Sequence, residues 1–146
     1  MSKVTYLAGY DGGETAERAA RLAAEKAIFR GGGTLILVYV VDWSEFEVMS
    51  VEELSIRHAQ QMEQLASAEE DILKPAVEKL KADNLTIETA VQVGHAADVI
   101  TTLAEEKNVD QIFVGHKGRG FLASIGLGSV AYGILQKAKV PVTVVP

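Results

Sequence analysis

Runs of β-branched and aromatic residues alternate with longer, helix-favouring runs along the whole chain, and this alternation restricts the fold more than any other feature. The stretch KVTYLAGYD (3–11) has strand composition and stops at a Gly-Gly pair. ETAERAARLAAEKAIFR (14–30) is rich in Ala, Arg, Glu and Leu, spaces its apolar residues helically and ends at glycines 31–33. TLILVYVVD (34–42) is almost continuously apolar, as expected of a strand covered on both faces. A long charged helical stretch follows, from about Ser50 to Asp83, which Pro75 should kink or split near Lys74. Its apolar residues Leu65, Ile72, Leu73, Val77 and Leu80 read as core, and residues 43–49 before it as a variable loop. LTIETAVQVG (85–94) alternates apolar and polar residues, which predicts a strand with one wetter face at a sheet edge. Helix 96–108, buried strand 109–115, helix 129–139 and the closing strand VPVTVVP (140–146) complete the pattern.

Five strand-then-helix alternations without linker or repeat indicate an α/β, doubly wound domain with a five-stranded parallel sheet and helices on both faces. With 146 residues, 48% of them apolar, the expectation is a single domain over 1–146 with one real core. In such sheets ligands sit beyond the carboxyl ends of the strands, where the strand order reverses. The loops equipped for this are YDGGET, VVDW and the glycine-rich stretch after residue 114.

Charge and cysteine content narrow the partners. The net charge is −6, which argues against nucleic acid or an anionic membrane as partner. Residues 111–146 contain Lys117, Arg119, Lys137 and Lys139 but no Asp or Glu, so this segment carries +4 and the rest −10. A locally basic, glycine-rich end on an acidic chain suits a small anionic ligand. With no cysteine there is no disulfide or thiolate metal site. The opening MSKVTYLAGYDGG lacks the features of a signal peptide, and no apolar run is long enough to span a bilayer, so the expected location is cytoplasmic.

The stretch GHKGRGFLASIGLGS (115–129) holds five of the thirteen glycines. It is no Walker A loop, because Gly115-x-x-x-x-Gly120 is followed by Phe121-Leu122 instead of Lys-Ser/Thr. GLGSVA (126–131) mimics a dinucleotide fingerprint, but the chain ends before an acidic ribose partner could follow. Two readings remain. Gly115 lets backbone approach a ligand, and the helix start at Gly128-Ser129 offers free N–H groups to an anion, with Lys117 and Arg119 nearby. Otherwise the stretch is a plain turn, with Ser129 capping the helix.

Gly115-x2-Gly118-x9-Gly128-Ser129 resembles the G-x2-G-x9-G-[S/T] signature of the ATP-binding branch of the universal stress protein family. YDGGETAERA, LVYVVD, VQVGHAADVI and VPVTVVP are similar to that family's first turn, second-strand end, third-strand glycine and closing strand. The resemblance covers all but residues 43–61. It implies a Rossmann-like sheet of order 3-2-1-4-5 and ATP as ligand; any Mg or Mn would be held chiefly through the phosphates, since no metal motif occurs in the chain. Asp11 would lie near the ribose, Val40 would meet adenine through its backbone, and Gly115 would line the ribose side. Gly118, Gly128, Ser129 and Val130 would wrap the phosphates, chiefly with main-chain N–H groups, and Arg119 would raise the local potential. The closing strand would pair with its twin in a homodimer. Gly12-Gly13 stands where the family often has Gly-Ser, which removes a hydroxyl.

The other candidates have plainer readings. Asp11 could simply cap the first helix. His58 reads as a solvated face residue, His95 as a loop or cap residue, and His116 as a loop residue inside the glycine motif, with a ligand-facing position as the alternative. No G-x-S-x-G or H-E-x-x-H pattern occurs, so no residue is assigned to catalysis. The resulting expectation is a nucleotide-dependent sensor or regulator of the stress response. The alternatives are a slow ATPase or phosphotransferase using Arg119, and a nucleotide-free dimeric interaction module.

Overall fold

In the computed structural model, which describes residues 3–42, 50–117 and 127–146, the alternation becomes one parallel five-stranded sheet. The elements are β1 (Val4–Gly9), α1 (Glu14–Phe29), β2 (Gly33–Asp42), α2 (Val51–Ala68) and, after a π-helical turn (Glu69–Leu73), α3 (Lys74–Leu80). They continue as β3 (Leu85–Gly94), α4 (Ala96–Glu106), β4 (Gln111–Gly115), α5 (Ser129–Lys137) and β5 (Val142–Val145). The strand order is β3-β2-β1-β4-β5, every pairing is parallel, and the resemblance had implied this order.

The near-continuous apolar runs are explained by cover on both sides. Tyr6, Ala8, Leu35, Leu37 and Phe113 point to the face of α1, the π turn and α3. Leu7, Ile36, Val38, Ile112 and Val114 point to the face of α4 and α5. On α1, Thr15 and six alanines are buried at spacings of three and four, so the helix backbone can lie close on β1 and β4. Phe113 is fully buried and meets Tyr6 edge-on at 5.1 Å between ring centroids.

Helical backbone continues through the charged stretch, α2 passing into the π turn at Glu69 and α3 resuming at Lys74, just before Pro75. Its ring has no N–H and would crowd the Asp71 carbonyl in a regular helix. The chain widens instead into a π turn in which the Lys74 N–H reaches the Glu69 carbonyl. Ser50 starts α2 with a reciprocal capping box to Glu53. Leu73 is buried, and Ile72, Val77 and Leu80 pack against the core, as their spacing predicted, whereas Leu65 is only half-buried and belongs to neither core cluster.

β3 occupies a sheet edge, with Thr86, Glu88 and Gln92 exposed and Leu85, Ile87 and Val91 on the core side. The wet-faced edge strand read from the alternation is therefore present. β1 is shorter than expected and ends at Gly9, so Tyr10 and Asp11 belong to the turn before α1. The variable segment 43–49 lies outside the described residues.

Candidate functional site

β1 and β4 are neighbours, with Ala8 opposite Phe113. From their carboxyl ends the chain leaves in opposite directions, from β1 into α1 on one face and from β4 towards α5 on the other. A crevice opens where connections diverge in this way. Asp11, Gly115 and the start of α5 are thereby gathered at one end of the sheet.

Asp11 is exposed, and its Oδ1 accepts the Gly13 N–H at 2.8 Å. Gly12 between them has φ +84°, a conformation that favours glycine. The N-cap position of α1 is Gly13, without a side-chain cap. Asp11 therefore builds the turn ahead of the helix instead of capping it. Tyr10 next to it is buried, and its N–H donates to the Val38 carbonyl at 2.8 Å. Burial, then the negative charges of Glu17 and Asp11, push the Tyr10 hydroxyl above its ordinary titration range.

Gly115 is buried against the first turn of α1. A Cβ there would lie 2.7 Å from the Thr15 carbonyl carbon and 2.8 Å from the Ala16 nitrogen, and would collide with the Thr15 hydroxyl. The bare Cα thus lets helix α1 seat on β4, a packing reason for the glycine that the sequence alone did not supply.

Val40 is half-buried near the end of β2, in register with Gln92 of β3. The β1–β2 ladder stops at Gly9–Val38, so β2 runs past β1. Main-chain groups alternate sides along a strand, and the Val38 carbonyl points towards β1. The Val40 N–H and C=O therefore point the same way, into the space beyond the end of β1.

The start of α5 has a different electrical character from that of α1. Glu14 and Glu17 sit in the first turn of α1, whereas the first turn of α5 has no acidic residue. An anion is repelled from the first site and attracted to the second. Gly128, not Ser129, takes the N-cap position, so the Ser129 hydroxyl is not the cap. The Gly128 N–H is committed to the His116 carbonyl at 2.6 Å, and the first intrahelical bond runs from Tyr132 N–H to Gly128 carbonyl at 3.0 Å. The N–H groups of Ser129, Val130 and Ala131 precede it and have no partner among the described residues. Ala131 was not singled out in the sequence, although counting along the first turn from Gly128 reaches it.

His116 extends the β4–β5 ladder by donating its N–H to the Val145 carbonyl at 2.8 Å. Its Nδ1 is buried with no hydrogen-bond partner among the described residues, which is unfavourable unless a ligand, water or other group fills the place. Lys117 is exposed beside it, while Gly118 and Arg119 lie outside the described residues. The other two basic residues of this segment do not serve the crevice. Lys137 pairs with Asp98, and Lys139 with Glu105 at 2.8 Å, beyond the last turn of α5. The positive charge seen in the sequence is thus divided between the loop and the α4–α5 packing. The expected plain roles of two further histidines agree with the structure: His58 is exposed, and His95 stands at the N-cap position of α4. Among the described residues no group of three or more His, Cys, Asp or Glu could hold a metal ion. No described helix is long and apolar enough to cross a membrane.

The model of the universal stress protein family matches residues 5–146. A universal stress protein of Mycobacterium tuberculosis is 30% identical over 138 residues, covering 94% of this chain and 44% of that protein. The chain thus spans about half the length of the curated relatives it matches. Among solved structures, the universal stress protein UspA from Lactobacillus plantarum superposes with a TM-score of 0.82 at 18% identity, over 100% of this chain and 99% of that one. A universal stress protein in complex with cAMP gives a TM-score of 0.69 at 23% identity, over 99% and 98% of the two chains. One from Archaeoglobus fulgidus in complex with dAMP gives 0.59 at 23% identity, over 100% of both. With the family model spanning nearly the whole chain and the sheet order in agreement, the chain belongs to the universal stress protein family.

Proposed function

We propose that the crevice between β1 and β4 binds an adenine nucleotide, ATP foremost, and that the chain acts as a nucleotide-dependent sensor or regulator in the stress response. The observation that carries this reading is the start of α5. Three successive N–H groups lack partners among the described residues, and no carboxylate stands in that first turn. Two proteins of the same fold are held with cAMP and dAMP, which supports adenine as the base.

In this reading the Val40 backbone meets adenine beyond the end of β1. Asp11, with Oδ1 on the Gly13 N–H, offers Oδ2 to the ribose, whose other side is lined by Gly115. The phosphates rest on Ser129, Val130 and Ala131, flanked by Gly128 and Gly118, with Lys117 and Arg119 raising the potential. The orphaned His116 Nδ1 fits a polar ligand at this place. A Mg or Mn ion would be carried by the phosphate oxygens. The site retains a nucleotide instead of turning it over, so any hydrolysis is slow. β5, an edge strand of four residues between Pro141 and Pro146, would pair with its twin in a cytoplasmic homodimer.

Calorimetric titration with ATP, ADP and AMP, with and without magnesium, tests the reading. ATP should bind at least about tenfold more tightly than AMP, because α5 meets the outer phosphates. Equal affinities would remove the phosphate role of α5. No heat with any of the three would favour a nucleotide-free interaction module.

A further inference from the structure

β3 is ten residues long and lies at the sheet edge. Its ladder with β2 runs from Gly33–Leu85 to Asp42–Gly94 without a bulge. Edge strands are usually short, bent, or guarded by Lys or Pro. β3 has none of these devices. Thr86, Ile87, Thr89, Val91 and Val93 are β-branched, and Glu88 is its one charge. The opposite edge, β5, has four residues between two prolines. About half of the β3 residues turn their N–H and C=O away from β2. Among the described residues no further strand pairs with them, and of their N–H groups the Leu85 one meets the Ala82 carbonyl at 3.1 Å in a single bridge.

Beside this edge runs a groove of about 510 Å³ lined by Pro75, Val77 and Ile87 and by the carboxylates of Glu69, Glu70 and Glu78. The Thr89 hydroxyl donates to Glu69 Oε1 at 2.7 Å and holds that carboxylate over the strand. Among the described residues Lys74 is the one cation in the lining, where Glu70 binds it at 2.6 Å, and Lys81 outside the lining pairs with Glu78 at 2.9 Å. The groove thus combines an apolar floor with a net negative rim.

We propose that the outer edge of β3 docks an extended segment of a partner protein carrying Lys or Arg at every second position, added to the sheet as a sixth strand. Backbone bonds to β3 would supply affinity, as in other strand additions. The long basic side chains would lay their stems on Ile87 and Val77 and reach Glu69 and, in place of Lys81, Glu78 with their heads. A second copy of this chain is the poorer occupant, because it would bring Glu88 and another acidic rim to a chain already at −6.

The probe is a synthetic peptide of alternating Lys and Val, about as long as β3, with an alternating Glu and Val peptide as control, in the absence of nucleotide. Fluorescence anisotropy should show saturable binding of the first and none of the second. Amide exchange of the outward-facing β3 residues should slow by about tenfold or more on binding. The Glu69→Lys, Glu78→Lys double variant should weaken binding by at least about tenfold, with the circular dichroism spectrum unchanged. The proposal is overturned by absent binding, by equal binding of the double variant, or by binding that leaves β3 exchange unaltered. It is equally overturned if β3 amides are already protected by self-association of the free protein.

Discussion

The Gly128 N–H donates to the His116 carbonyl across 2.6 Å, fastening together the two ends of the glycine-rich loop. His116 is itself fixed to β5 through the Val145 carbonyl at 2.8 Å. The start of α5 is thus hung on the sheet by main-chain bonds, which sets the N–H groups of Ser129, Val130 and Ala131, without partners among the described residues, at the carboxyl end of β4.

Because those anchoring bonds involve only main-chain atoms of His116, Gly128 and Val145, Gly118→Val should leave the melting temperature nearly unchanged. In the proposed site it should lower ATP affinity by at least about tenfold. Paired thermal unfolding and ATP titration check this, and retained affinity would count against the pocket.

Gly115→Ala should destabilise the fold by about 1–3 kcal/mol through overpacking in urea unfolding. The added methyl would meet the Thr15 carbonyl carbon at 2.7 Å and the Ala16 nitrogen at 2.8 Å. Thr15→Ala in that background should recover little, since both of those atoms are main-chain. Full recovery would show that the hydroxyl alone fills the space.

Tyr10 gives a prediction in alkali. Its hydroxyl titrates above the ordinary value of 10.0 in the folded chain, so folding favours the protonated form. Its contribution is whole below the unfolded value and is lost as pH rises through the folded one. Stability should therefore fall more steeply above pH 10.0 in the wild type than in Tyr10→Phe. Urea midpoints measured across that range would show the difference, and parallel curves would refute it.

The strand and helix order was legible because each element carries its own period: continuous apolar residues in β2, two-residue alternation in β3, and alanines three and four apart in α1. Pro75 announced an irregularity after α2, but not that a π turn would absorb it. At the site, the sequence singled out Gly115 for ligand approach and Gly128 as a helix start, but not the packing that Gly115 serves. Gly115 answers to Thr15, one hundred residues away in sequence, and such a contact has no local signature. Ser129 read either as a cap or as a phosphate ligand; Gly128 takes the cap position, and the N–H groups without a partner among the described residues extend on to Ala131. Lys137 and Lys139 count toward the basic end of the sequence, but Asp98 and Glu105 pair with them away from the crevice, a contact with no local signature.

The most direct test of α5 as the phosphate-binding element is ATP calorimetry on Ser129→Pro. Proline suits the first helical position, and Gly128 before it has the extended ψ of 155° that a following proline requires. The substitution removes one N–H and the hydroxyl with the helix intact. ATP affinity should fall by about tenfold or more, with the melting temperature held within a few degrees. Unchanged ATP affinity in a fully folded Ser129→Pro variant would contradict the account.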